Sequence, residues 1–180
     1  MSGRRQEILD VAMAIANEGG LDRVSMRAVA EDIGVTPMAL YRHVDSKLAL
    51  LDGMVERLVT SLLPEHVTGS WDERLTALAY AYRSLAQRHP WSAQLLFSRP
   101  TVTPDAARVT EYIHAAIREA GVPEPEVGRL ERLVTTFVIG FAASEVLGRF
   151  PGRTVDCNAE FDADLADLRQ LIKVAGDPMT

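Results

Sequence analysis

Residues 36–47 carry side chains whose types and spacing suit contact with double-stranded DNA. At about 100° per helical residue, Met38 and Arg42 point away from Leu40 and Val44, which share the inner face. A guanidinium can bridge O6 and N7 of guanine, and small or flexible apolar side chains can meet the thymine methyl. This outer face also lacks the mixture of Glu and Lys that is usual on a solvated helix. The pattern therefore predicts a helix that reads a DNA groove.

Lys47 gives a second indication of contact with an anion. It follows Asp45 and Ser46, either of which can cap a helix that starts here. A lysine in the first helical turn opposes the macrodipole, so its position suits a phosphate that docks at this helix end. The alternative is a solvated lysine, but its place beside Tyr41 and Arg42 favours the phosphate.

Two short helices and a tight turn must position these side chains. Ser25 is a good N-cap for the first helix, and Gly34 is placed where a left-handed backbone would end it. Thr36 can cap the second helix, with Pro37 at the first helical position, where its missing N–H costs nothing. This order predicts a helix-turn-helix, whose second helix enters the major groove.

This stretch resembles the tetracycline-repressor (TetR) family of transcriptional regulators. The resemblance runs from about Arg5 to Leu63, through GGLDRVSMRAVAEDIGV and TPMALYRHVDSKLALLDGM. A looser resemblance to the same family follows in SWDERL, LLFSRP and FVIGFAASE. The N-terminal resemblance implies that Tyr41 and Lys47 bind phosphates, and that His43 either contacts a phosphate or completes the core of its own domain. It also implies a base-reading surface made of Thr36, Pro37, Met38, Ala39 and Arg42.

The charge of the chain requires that any DNA-binding surface be focused. The net charge is −6, and residues 1–63 hold seven Lys or Arg against nine Asp or Glu. We therefore expect weak non-specific binding, which scales with the number of phosphates neutralised. Arg4 and Arg5 could form an arm that reaches DNA, or simply a frayed terminus. The cations expected to supply the focused positive charge are Arg4, Arg5, Arg27, Arg42 and Lys47.

Helical periodicity continues to the end of the chain and predicts an all-α protein. We expect a three-helix DNA-binding domain at residues 1–46, a connecting helix at 47–64 and a helical regulatory and dimerisation domain at 65–180. The single cysteine, Cys157, excludes an internal disulfide and suits a reducing cytoplasm. Neither a signal peptide nor a membrane span is expected from the charge and hydropathy pattern.

The predicted long helix from Glu126 to Arg149 is apolar on nearly all sides along Val134–Leu147. Such a helix must be covered on all sides, and a second copy of the chain is the expected cover, together with the helix at Ala159–Val174. The family resemblance implies the same dimer and a ligand enclosed by the C-terminal helices. We expect a mostly apolar small molecule, although these side chains could simply fill the core. The predicted lining is Leu78, Tyr82, Leu95, Leu96, Arg99, Phe137 and Phe141.

Enzyme motifs are weak in this sequence. Glu111 and His114 form one E-x-x-H pair, whereas a di-iron bundle needs two such pairs and two further glutamates. We therefore predict no catalytic residue, metal or cofactor. The predicted function is a ligand-responsive transcriptional regulator, a repressor that a small-molecule inducer releases from a palindromic operator. The alternative hypothesis is a helical metal or redox bundle.

Overall fold

Nine α-helices and no strand are present in the part of the chain that the structure, a computed structural model, describes: residues 3–64, 66–98, 104–150 and 155–177. The all-α prediction is confirmed. The helices are α1 (Gly3–Gly19), α2 (Met26–Ile33), α3 (Pro37–Tyr41), α4 (Lys47–Thr60), α5 (Trp71–Arg88), α6 (Pro90–Ser98), α7 (Pro104–Glu119), α8 (Glu124–Val146) and α9 (Cys157–Ala175). A short 3₁₀ turn at Leu21–Arg23 joins α1 to α2.

The predicted caps fix the first helices. The Ser25 hydroxyl accepts a hydrogen bond from the Ala28 amide at 3.1 Å, and Thr36 accepts one from the Ala39 amide at 3.3 Å. Gly34 has a φ of 77°, the left-handed conformation predicted between α2 and α3. Helix α3 is shorter than predicted and ends at Tyr41, because the chain turns there and the His43 amide bonds back to the Leu40 carbonyl.

Helix α4 contacts both the N-terminal and the C-terminal parts of the fold. Its buried face includes Leu50, Met54 and Leu58, and the helix packs against α1, α6 and α7. The helix ends at Thr60, four residues before the end predicted for the connecting helix at 47–64. Here the Leu62 amide bonds to the Val59 carbonyl in a tight turn ahead of Pro64.

Helices α5, α7 and α8 pack against one another and form the larger part of the C-terminal core. At the start of helix α5, Oε2 of Glu73 accepts hydrogen bonds from both the amide and the hydroxyl of the N-cap residue Ser70, each at 2.8 Å. Helix α9 packs on α8 and buries Phe161 completely. Within the described residues, no helix is both long enough and apolar enough to span a membrane.

Candidate functional site

Helix α3 presents the predicted outer and inner faces. Leu40 and Val44 are buried in the N-terminal core, whereas 73% of Met38 and 43% of Tyr41 are exposed. Arg42 is also exposed, directly after the last residue of α3. The short helix therefore holds a flexible thioether, a phenol and a guanidinium on one solvent-facing surface, while two aliphatic side chains anchor its other side.

Three exposed cations lie in this part of the molecule without an acidic partner. Within the described residues, Arg27, Arg42 and Lys47 take part in no ion pair or side-chain hydrogen bond. Lys47 is the first residue of α4, whose N-cap Ser46 accepts from the Ala49 amide at 3.1 Å. The helix dipole and the ammonium group thus both favour an anion at this end of α4.

The expectation that Arg4 and Arg5 add free positive charge is wrong. Helix α1 already begins at Gly3, and Arg4 pairs with Glu7 at 2.7 Å. Arg5 lies 4.0 Å from Glu56 of α4, measured between Nη2 and Oε2. Both guanidinium groups are therefore neutralised locally, and helix formation removes the proposed arm from the described residues.

The remaining predicted DNA contacts lie around α3. Thr36 and Pro37 are exposed at its first turn, and Ala39 is half-buried on its flank. His43 is exposed, so it does not complete the core of its own domain, because the adjacent Val44 occupies the inner position. Of the two alternatives for His43, only the phosphate contact stays a prediction.

A cavity of about 230 Å³ lies among the helices of the C-terminal part. Helices α5, α7 and α8 form most of its wall, and Val59 and Leu62, at and just beyond the end of α4, close one side. Three of the predicted ligand-binding residues line it: Leu78, Tyr82 and Leu96. Ligand binding by these residues stays a prediction.

The structure places three other predicted lining residues away from this cavity. Leu95 is buried in the core and does not border the cavity, whereas the next residue, Leu96, does. Phe137 and Phe141 pack on Phe161 of α9, with ring centroids 5.9 and 4.9 Å apart, so α9 covers that face of α8. Arg99 falls outside the described residues.

Sequence reasoning missed all the described residues that α4, α7 and α8 contribute to the cavity wall. The lining residues that were not predicted include Val59, Leu62, Val109, Thr110, Ile113, Glu131, Thr135 and Val138. Val109 and Ile113 repeat at helical spacing, which indicated a buried face but not that the face borders an open space. Glu131 and Thr135 gave no signal, because polar side chains on a helix are more often solvated.

Tyr82 is the most buried polar group in the cavity wall. Only 8% of the residue is exposed, and its hydroxyl has no hydrogen-bond partner among the described residues. Burial raises the pKa of the Tyr82 hydroxyl well above its ordinary value, so this phenol stays neutral at physiological pH. An unpartnered buried hydroxyl costs about 1–3 kcal/mol, which a ligand oxygen could recover.

The metal or redox bundle finds no support in this structure. Glu111 is exposed and accepts a hydrogen bond from Arg118 at 2.9 Å. Among the described residues, no cluster of three or more His, Cys, Asp or Glu is arranged to hold a metal ion. Cys157 is the half-buried first residue of α9.

One polar cluster joins α1 to the junction of α5 and α6. The side-chain oxygen of Asn17 accepts a hydrogen bond from Trp91 Nε1 at 2.7 Å and lies 2.8 Å from Nδ1 of His89. Neutral His89 can satisfy this contact by carrying its proton on Nδ1. The N-terminal and C-terminal parts are therefore tied together by directed hydrogen bonds as well as by the contacts of α4.

We expect this cluster to make stability depend on pH. Burial and, to a smaller extent, the positive charge of Arg88 lower the pKa of His89. Because the unfolded chain binds the proton more readily, His89 costs no stability above about pH 6.5 and lowers the free energy of unfolding as pH falls below that value. Urea unfolding at neutral pH and near pH 5.5 measures how much free energy of unfolding is lost on acidification, and this loss should be smaller in His89→Gln than in the parent. Exposed His66→Gln is the matched control and should lose as much as the parent. An equally large loss in His89→Gln would contradict this assignment.

Comparisons with known proteins agree with the architecture. The family model for bacterial regulatory proteins, tetR family, matches residues 8–54, and the model for a tetracyclin repressor-like C-terminal domain matches residues 63–168. The HTH-type transcriptional repressor DrrR1 of Streptomyces coeruleorubidus is 36% identical over 141 residues. That alignment covers 77% of this chain but 52% of the relative, so the chain spans about half the length of DrrR1.

Two solved structures show the same fold at low sequence identity. BioQ bound to its natural double-stranded DNA operator is 23% identical, with a TM-score of 0.79 over 94% of this chain and 98% of that one. The Streptomyces coelicolor TetR family protein ActR in complex with actinorhodin is 21% identical, with a TM-score of 0.83 over 96% of this chain and 98% of that one. With a helix-turn-helix model at one end and a C-terminal domain model across more than half of its length, the chain belongs to the tetR family of bacterial regulatory proteins.

Proposed function

We propose that this protein is a cytoplasmic transcriptional repressor that binds a palindromic operator as a homodimer and is released by a small, mostly apolar molecule. The observation that carries the proposal is the course of α4. This helix begins at exposed Lys47, beside the α3 surface, and its last turn contributes Val59 to the cavity wall. Its 14 residues span about 21 Å, so one rigid element joins the two surfaces.

The proposed DNA-binding surface comprises α3 and the first turn of α4. Arg42 and Met38 suit contacts with base edges, and Lys47 and Tyr41 suit contacts with phosphates. The absence of acidic partners for Arg42 and Lys47 within the described residues supports this assignment, because both charges remain available to an anion. The operator seen with BioQ is a property of that protein, and its fold shows only that this architecture is compatible with DNA.

The proposed dimer surface comprises exposed apolar residues of α8 and α9. Leu133 of α8 and Leu147, the residue directly after α8, are 39% and 63% exposed, and Leu171 and Val174 are 42% and 44% exposed on α9. Apolar side chains on two packed helices favour association with a second copy, since neither helix can hide them within one chain. A two-fold dimer would present two copies of α3 and therefore require a palindromic operator.

The proposed mechanism of release is a shift between two orientations of α4. Residues 1–46 would bind DNA, residues 47–64 would transmit the change and residues 65–180 would bind ligand and partner. One orientation of α4 permits DNA binding and the other does not. A molecule that binds more tightly to the second shifts the protein toward it, to an extent set by the difference between its affinities for the two orientations. No catalytic step is required of any residue.

The test of the DNA-binding assignment is substitution of Arg42 and Lys47. Arg42→Ala is expected to weaken operator binding by about 1–3 kcal/mol and to relax specificity at one base pair in each half-site. Lys47→Ala should weaken binding to operator and random DNA alike and reduce the salt slope by about one for each phosphate contact that is lost. Fluorescence anisotropy with both DNAs, at several salt concentrations, measures these effects.

Arg88→Ala is the matched control, because it removes one exposed positive charge at the end of α5, far along the chain from α3. It should bind both DNAs as the parent does. If the Arg42 and Lys47 variants behave like this control, the proposed DNA-binding surface is wrong.

A further inference from the structure

We propose that the ligand of the cavity is a small amphipathic molecule with an apolar body, a hydrogen-bond acceptor for Tyr82 and a protonated amine for Glu131. The inference rests on the proposed function, because it assumes that the cavity binds a regulatory molecule. It adds the polarity and the charge of that molecule, which follow from four polar positions in the cavity wall.

The wall is apolar except at these positions. Sixteen described residues form it; twelve are aliphatic, and the other four are Tyr82, Thr110, Glu131 and Thr135. A volume of about 230 Å³ lies below the range of about 300–1,000 Å³ that is common for ligand pockets. The space therefore suits a compact apolar body that bears few polar groups.

Tyr82 supplies a hydrogen-bond donor that the protein itself leaves unused. The hydroxyl is buried, has no partner among the described residues and remains protonated. A carbonyl or ether oxygen of a ligand would satisfy it without introducing a charge into the apolar wall. This donor selects ligands that carry an acceptor, because an apolar ligand would leave the hydroxyl desolvated and unpaired.

Glu131 is the only charged side chain among the described residues that line the cavity. Its carboxylate accepts one hydrogen bond, from the Thr135 hydroxyl at 3.3 Å, and that hydroxyl is closer to the Glu131 carbonyl, at 2.9 Å. The nearby cation Arg129 is paired with Glu126 at 2.5 Å, and within the described part of the chain no Lys or Arg lines the cavity. A half-buried carboxylate in an otherwise apolar wall attracts a cation and disfavours an anion.

The two groups come from different helices of the wall, Tyr82 from α5 and Glu131 from α8. The acceptor and the amine are therefore expected at different positions on the ligand.

Four matched naphthalenes test the proposal on the full-length protein without DNA. The first carries an acetyl group on one ring and an aminomethyl group on the other. In the second, ethyl replaces acetyl; in the third and fourth, hydroxymethyl and carboxylate replace aminomethyl. We expect the acetyl amine to bind tightest by calorimetry, with a loss of roughly tenfold when either polar group is removed and a larger loss for the acid.

Single-atom substitutions assign each preference to its residue. Tyr82→Phe should abolish the preference for acetyl over ethyl, and Glu131→Gln should abolish the preference for amine over alcohol. The matched controls are Tyr112→Phe and Glu126→Gln, whose side chains do not line the cavity, and both should retain the parent order.

The inference is overturned if none of the four compounds binds, if the acid binds as tightly as the amine, or if either preference survives its substitution. These outcomes are separate from failure of the proposed function, which the operator-binding variants Arg42→Ala and Lys47→Ala decide on their own. If the parent binds operator as proposed, but Tyr82→Phe and Glu131→Gln keep the parent's ligand preferences, only the proposed ligand chemistry is rejected.

Discussion

Replacing Arg83 with methionine is expected to lower the free energy of unfolding by about 3–5 kcal/mol, because it leaves a buried carboxylate without its cation. Arg83 of α5 donates from Nε and Nη2 to the two carboxylate oxygens of Glu145 on α8, at 2.7 and 2.6 Å. The side chains of Arg83 and Glu145 are 4% and 16% exposed. The hydrogen bonds from Arg83 also lower the pKa of Glu145, so this carboxyl group is charged in the folded protein.

The same guanidinium packs on the aromatic residues that join α8 to α9. Its central carbon lies 4.8 Å from the ring centroid of Phe161 and 5.6 Å from that of Phe141. Methionine can replace part of this packing but none of the charge. The loss expected for Arg83→Met is therefore mainly the cost of the uncompensated Glu145.

Arg118→Met provides the matched control. Arg118 also pairs with two carboxylates, Glu111 and Glu124 at 2.9 and 2.8 Å, but its side chain is 38% exposed. Its removal should cost far less stability than removal of Arg83, since exposed pairs contribute little. Urea unfolding followed by circular dichroism, at fixed protein concentration, measures both effects.

A double variant separates the charge from the packing. Arg83→Met with Glu145→Leu should recover most of the stability lost in Arg83→Met, because a buried ion pair can often be replaced by apolar residues at little cost. Equal losses in Arg83→Met and Arg118→Met would show that burial of the Arg83 pair has no special importance.

Placing glutamate at Gly140 is expected to convert the proposed dimer into a folded monomer. An added Cβ at Gly140 meets no atom within 4 Å, so one chain accommodates a side chain there. Gly140 lies seven residues after Leu133, which places both on one side of α8, and seven residues before Leu147, which directly follows the helix. A charge buried unpaired between two such helices costs several kcal/mol, so the dimer dissociation constant should rise by more than about a hundredfold.

Gly128→Glu is the control for the same chemical change on the same helix. An added Cβ there would lie 3.5 Å from Nη1 of Arg132, so a glutamate at this position gains a neighbouring cation instead of facing the proposed dimer surface. Size-exclusion chromatography with light scattering at micromolar concentration should show a dimer for this variant and a monomer for Gly140→Glu. A parent monomer, or a Gly140→Glu dimer of parent affinity, would contradict the proposed interface.

The sequence determined the local architecture of the N-terminal part, because the forces that fix it act over a few residues. Ser25 and Thr36 cap helices as predicted, Ser46 is the one of two predicted candidates that caps α4, and Gly34 adopts the left-handed conformation that ends α2. The inner and outer faces of α3 also follow from helical periodicity alone. The caps need only a side chain that accepts from a nearby amide. The turn after α2 needs only a glycine, which has no Cβ to clash where φ is positive.

The tertiary structure decided which helical faces border the cavity and which fill the core. Phe137 and Phe141 look like lining residues by composition, but α9 returns across α8 and places Phe161 against both. Arg4 and Arg5 look like a basic arm, but α1 continues through them and brings each beside a carboxylate. Any neighbour of suitable size can bury an apolar side chain, and any neighbour of opposite sign can pair with a charge. The sequence therefore specified only that Tyr82 and Phe141 would be covered. The packing of α5–α9 decided that Tyr82 borders an open space and that Phe141 does not.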